Sequence, residues 1–271
     1  GFLMWYLKGH SICVHELDIA VDFFGHLIGL GKAEPSGENS LIFSSERSYF
    51  QLVQPTLALR LDGPDILAPT AHRHVAIEIA NLEQLKQGLE NLAAPYVVQA
   101  DIASAEVAIC TMMPCRNMVI FSERNAEAIM PDAAEWEIHH VNLQAADVRR
   151  STDFLKSCAG LQEGQWRAPE GKGDFSIDPA DLSIFPIGDF NGGLHIIKPD
   201  PGFAKRNNFA HNPSIGGHPA IEVSDLMGVK SRLENAGVEV SDAGTYAMAG
   251  MHQIYCLDPT GNMIEVNQRV R

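Results

Sequence analysis

The sequence predicts an α+β chain of four βαβββ modules paired into two tandem domains. Three observations predict it. Eighteen residues from His74, HVAIEIANLEQLKQGLEN, align without a gap on eighteen from His218, HPAIEVSDLMGVKSRLEN, and nine are identical. At nearly the same offset, MPCRNMVIF around Asn117 aligns with DPTGNMIEV around Asn262. Finally, a short alternating run headed by a histidine leads into a helical pattern four times, at His10, His74, His140 and His218.

The fourth copy is the clearest. His218, Ala220 and Glu222 share one strand face, and Pro219, Ile221 and Val223 share the other. Asp225 reads as an N-cap, Leu226, Val229 and Leu233 form an apolar stripe, and Gly237 ends the helix. Asp18, Asn81 and Asp147 are the matching caps in the other copies, and HSICVHELDIA from His10 is set against HVNLQAADVRR from His140. Short strand-like runs follow each helix, among them SLIFSS, YFQLVQ, LSIFPIG, GLHIIKP and HQIYCLD. Connectors rich in Pro and Gly, Leu61 to Thr70 and Pro199 to Gly217, separate modules within each half. The halves meet in the alanine-rich stretch Glu123 to Glu135, so the expected domains are 1–124 and 136–271.

Composition narrows the function. With 34 acidic against 20 basic residues the chain carries a formal charge of −14, and no basic patch is available to neutralise phosphates. Nucleic acid and anionic membrane surfaces are therefore not expected partners. No run of 18 apolar residues exists, and the apolar start Gly1 to Leu7 is too short for the core of a secretory leader. Five cysteines without a CxxC spacing argue against a disulfide framework or a cysteine zinc site, and fit a reducing cytoplasm.

Strand parity selects the chemistry. His140, Asn142 and Gln144 lie on one face of their strand, with Val141 and Leu143 opposite, and the same parity puts His139 on the Val141 face. Glu265 alternates with Ile264 and Val266 after the turn Asp258 to Asn262. Two imidazoles and a carboxylate from separate strands suit a facial triad with open positions, a ligand set for Fe(II) and also for Mn, Zn, Ni or Co.

The segments IHHVNLQAADVRRSTDFLKSCAGL, GGHPAIEVSDLMGVKSRLENAGV and DPTGNMIEVNQ resemble the vicinal oxygen chelate superfamily. That superfamily includes glyoxalases, fosfomycin resistance proteins and extradiol dioxygenases. The resemblance implies that each domain is a cup-shaped mixed sheet with helices outside, and that a divalent metal is bound by His140, His218 and Glu265. The four-module layout is similar to two-domain type I extradiol dioxygenases, whose N-terminal domain is degenerate. Here His10 and His74 persist in the first half, but Ile120 stands at the position of Glu265.

By the same resemblance Tyr255, ten residues before Glu265, and His195 are the catalytic candidates. The histidine usual before the tyrosine strand is missing from GTYAMAGMHQIY, leaving Tyr246 and His252 as polar candidates there. Asn142 and His211 complete the candidate substrate contacts, and the 199–217 connector, with Arg206 and Asn208, is a candidate lid. The implied function is cleavage of a catechol-like aromatic with Fe(II) and O2 by a homo-oligomer acting on a small aromatic or oxygen-rich substrate. Two alternatives stay open: a glyoxalase-like lyase or isomerase using the metal as a Lewis acid, and a metal-free, ligand-sequestering resistance-type binding protein.

Overall fold

The computed structural model describes residues 5–55, 74–102, 105–124, 135–169 and 177–270. The Leu61 to Thr70 connector and most of the junction between the halves lie outside these residues. Two mixed sheets account for the strands. The first has eight, in the order β2-β3-β4-β1-β5-β8-β7-β6. They are β1 (Trp5–Cys13), β2 (Glu34–Gly37), β3 (Ser40–Ser44), β4 (Tyr49–Val53), β5 (His74–Ile79), β6 (Tyr96–Ile102), β7 (Ala105–Met112) and β8 (Met118–Glu123). The second has seven, in the order β10-β11-β9-β12-β15-β14-β13. These are β9 (Trp136–Gln144), β10 (Leu182–Ile187), β11 (Gly192–Ile197), β12 (His218–Val223), β13 (Ser241–Gly244), β14 (Met251–Leu257) and β15 (Met263–Arg269). The chain is α+β, as expected.

In each sheet the first strands of two modules, β1 with β5 and β9 with β12, pair antiparallel at the centre. The module helices cover the apolar side. In Leu82–Asn91 the buried residues are Leu85 and Leu89, one turn apart; in Leu226–Asn235 they are Leu226, Val229 and Leu233. Each such side chain contributes roughly 1.5–3 kcal/mol through burial. Asn81, Asp147 and Asp225 cap their helices by accepting the backbone N–H groups of Gln84, Arg150 and Gly228. Asp18 does not: its helix begins at Leu17 after Glu16, and Asp18 sits in the first turn. That helix continues as a π-helical turn, Phe23–Ile28.

Helices of the two halves also pack on each other, Leu82–Asn91 against Val148–Ala159. Gly88 permits the approach, because a Cβ there would lie 2.5 Å from the Cys158 carbonyl oxygen. Across the same junction Trp136 donates from Nε1 to the Leu30 carbonyl, and Asn262 donates from Nδ2 to the Cys13 carbonyl. One apolar core consequently runs through both halves. Among the described residues no helix is long and apolar enough to cross a membrane.

A bulge interrupts both central pairings. In the second sheet Ala220 pairs with His140, but Ile221 pairs with Ile138, so His139 is the extra residue. In the first sheet Ala76 pairs with Gly9 and Ile77 with Leu7, leaving Lys8 in the same place. Strict alternation from Trp136 therefore fails, and two expectations need correction. Ile138 and Val141 both enter the core, so His139 turns to the concave side together with His140. By strand register Gly9, not His10, is the counterpart of His140; His10 faces the core beside Phe50.

Candidate metal centre

The concave side of the second sheet gathers three buried ligand-type side chains. His140 comes from β9, His218 from β12 and Glu265 from β15, and their ligand atoms all lie within 4.8 Å of one another. Register explains the convergence. Ala220 is paired with His140 on one side and with Glu265 on the other, and His218 stands two residues before Ala220 on the same face, so three adjacent strands bring the three together. Nε2 of His140 lies 3.2 Å, and Nε2 of His218 3.1 Å, from the same oxygen, Glu265 Oε2.

The chemistry of this donor set fits a divalent ion. His218 Nδ1 lies 2.9 Å from the Pro213 carbonyl, which only accepts, so Nδ1 carries a proton and Nε2 is the nitrogen turned toward Glu265. A cation held between Nε2 and the carboxylate oxygen, 3.1 Å apart, would take the place of the proton that otherwise links them. The other oxygen, Oε1, accepts from the amides of Gln253 at 2.8 Å and Asn267 at 2.9 Å, which leaves Oε2 for the two imidazoles.

Burial dominates the electrostatics. It would raise the Glu265 carboxyl, but His140 and His218 outweigh it and hold the group well below the usual carboxylate range. Burial lowers His140 against the pull of Glu265, and lowers His195 well below its ordinary value with His140 adding to the effect. It also holds the Tyr255 hydroxyl well above 10, with Glu265 reinforcing it, so Tyr255 stays a neutral hydrogen-bonding group.

His195 lies on β11, stacked on His140 with ring centroids 4.2 Å apart. Its Nε2 donates to the Asn191 carbonyl at 2.6 Å, leaving Nδ1 as the unprotonated nitrogen of the neutral ring. Asn191 also grips the backbone of Arg167 through both ends of its side-chain amide, which holds Trp166 edge-on to His195 at 5.1 Å. Tyr255 pairs directly with Glu265 across β14 and β15, the physical content of the ten-residue spacing, and meets His218 edge-to-face at 5.6 Å. Its hydroxyl oxygen accepts from Gln253 Nε2 at 3.1 Å.

These groups open on a cavity of about 570 Å³. The 199–217 connector forms one wall through Pro199, Pro201, Phe203 and Pro213. Asn212 Nδ2 and Ser214 Oγ both donate to the Asp200 carbonyl and pin that wall. Asn142 lines the cavity, and its Oδ1 has no hydrogen-bond partner among the described residues. The other candidate contacts stand elsewhere. His252 turns away on β14 and pairs with Asp242 at 2.7 Å, Tyr246 stands edge-on behind Phe209, and His211 is held through its backbone N–H at Ser241. None of the three is among the lining residues. Sequence reasoning passed over Gln253, Asn267 and Trp166; the first two share the strand parity of Tyr255 and Glu265, whereas nothing in the sequence points to Trp166.

The first sheet offers no counterpart at the same level. Gly9 and Ile120 stand in register where the second sheet has His140 and Glu265. His74, the counterpart of His218, is hydrogen-bonded to Tyr49 Oη at 2.8 Å. Tyr49 covers Gly9 so closely that a Cβ on Gly9 would lie 2.5 Å from its ring.

Residues 137–266 match the Glyoxalase/Bleomycin resistance protein/Dioxygenase superfamily, the vicinal oxygen chelate class of fold. Solved structures extend the likeness to the whole fold. The 2,3-dioxygenase LapB from Pseudomonas sp. KL28 superposes with a TM-score of 0.68 at 12% identity, over 98% of this chain and 92% of that one. The Mn(II)-bound glyoxalase from Novosphingobium aromaticivorans gives 0.63 at 16%, over 99% and 82%. The 2,2',3-trihydroxybiphenyl 1,2-dioxygenase from Sphingomonas wittichii strain RW1 gives 0.63 at 11%, over 98% and 91%. No curated protein matches the sequence.

Proposed function

We propose that the protein is an extradiol-type dioxygenase that opens a catechol-like ring with O2 and a single Fe(II) held by His140, His218 and Glu265. The observation that carries the reading is the buried triad at the base of a cavity with both apolar and polar walls, flanked by His195 on one side and Tyr255 on the other. A bound divalent ion would fix two vicinal substrate oxygens and leave a position for O2. The chain supplies the rest. Nδ1 of His195 is the nitrogen able to take a hydroxyl proton from the substrate and return it. Tyr255 accepts from Gln253 and donates its hydroxyl proton to Glu265, and would steady a substrate oxygen by turning that proton from the carboxylate toward it. Trp166, Phe203 and the connector prolines offer apolar walls against which the ring would pack. Dioxygenases among the structural relatives support the chemistry, and the free cysteines support a cytoplasmic setting.

The test is oxygen uptake by anaerobically Fe(II)-loaded protein across a panel of substituted catechols. Oxygen consumed together with a coloured ring-opened product is the expected result. Conversion of an α-oxoaldehyde or epoxide without oxygen uptake would replace ring cleavage by the lyase or isomerase reaction. Metal-independent affinity for an aromatic ligand, with no turnover, would replace both by ligand sequestration.

A further inference from the structure

Two consecutive histidines lie at the middle of β9, and the bulge turns both to the concave side. Their Nδ1 atoms lie 2.9 Å apart, and both rings are buried. As a metal ligand His140 gives its Nε2 lone pair to the ion beside Glu265, so the proton of its neutral ring is on Nδ1 and points at His139. Nδ1 of His139 must then accept, which places the His139 proton on Nε2. That atom lies toward the turn between β10 and β11, 3.6 Å from where a Cβ on Gly192 would stand, and the Phe190 backbone hydrogen-bonds the ring.

We propose that His139 is a positioning residue for the metal centre: its Nδ1 accepts the Nδ1–H of His140, fixing the tautomer and the aim of His140 Nε2. The two imidazoles of the triad are thus oriented by different devices. His218 is held by a main-chain carbonyl that no substitution removes, and His140 by a side chain. Partners of this kind typically govern metal affinity by 10–100-fold. Lys8 occupies the same bulge in the first sheet and pairs with Glu78 at 2.7 Å, so the bulge alone does not create the device.

The inference rests on His140 being a metal ligand. Its test compares Co(II) affinity of wild type, His139→Phe and His139→Asn by equilibrium dialysis of metal-free protein. An asparagine can set an amide oxygen where Nδ1 stands, whereas phenylalanine fills the space without an acceptor. The expected outcome is a loss of roughly 10–100-fold for His139→Phe and near-wild-type affinity for His139→Asn. Equal affinity for His139→Phe and wild type overturns the inference alone, and so does an asparagine variant as weak as the phenylalanine one. Wild-type protein that binds no Co(II) overturns the metal-centre reading with it. Should His139→Phe not fold, isotopically labelled histidines in Zn(II)-loaded wild type decide. Nuclear magnetic resonance should show a scalar coupling between the two Nδ1 atoms across their shared proton, and its absence rejects the proposal.

Discussion

His195 lies flat on His140, with its Nε2–H spent on Asn191 and its remaining nitrogen the one group of the ring able to exchange a proton. His195→Gln is therefore expected to keep the metal and lower turnover by roughly 10²–10⁴, the range for a positioned acid–base group. Metal analysis beside the turnover assay checks this, and a fall in metal content would make His195 a ligand instead. Tyr255→Phe should retain the ring against His218 and Phe209 and lose less activity. Tyr255 is held protonated by burial and by Glu265, so the alkaline limb of the rate profile should not move in this variant. A shifted limb would assign that ionisation to Tyr255. At this scale parity made His218 and Glu265 legible, because β12 and β15 are regular over those residues. It misplaced His139 and His10 because a bulge costs one residue of alternation and leaves no mark in residue type.

Among the elements, the centre of the first sheet has diverged from its counterpart in the second. Tyr49, in register with Gly193 of the second sheet, lies over Gly9 and bonds His74. Burial pushes its phenol far above the ordinary tyrosine value, and Cys110 adds to the shift. Ala108, Cys110 and Ile120 fill the space beside it as a small apolar cluster. Tyr49→Phe should lower unfolding stability by about 1–3 kcal/mol, the cost of a buried polar group deprived of its partner, and leave metal content unchanged. Urea denaturation measures the first effect; unaltered stability would mean that the Tyr49–His74 bond contributes nothing to the fold. Helices and strands were largely readable, since caps, apolar stripes and period-two runs are local signals. Substitution of Ile120 for Glu265 was readable as well. Tyr49 was not, because its role depends on a neighbour strand some forty residues away in sequence from Gly9.

Over the whole molecule, one fold is used twice for different ends. The first sheet is packed shut at its centre, while the second keeps a polar triad above the same apolar layer and opens it to a cavity. The repeat at His74 and His218 made the duplication visible, and the contrast between Ile120 and Glu265 pointed to one working site. The pairing of helices across the halves was not visible in sequence, because it depends on Gly88 meeting a backbone carbonyl far along the chain. The pinning of the connector by Asn212 and Ser214 was equally hidden, since polar loop residues carry no periodic signal. We propose a single metal centre in the second sheet, and the rest depends on it. Elemental analysis of metal-free protein dialysed against Mn(II) addresses it directly. Wild type and His74→Ala should each hold about one ion per chain, and Glu265→Gln should hold almost none, the result expected when a facial set of three loses its carboxylate. Two ions per wild-type chain, or an undiminished ion in Glu265→Gln, would contradict it.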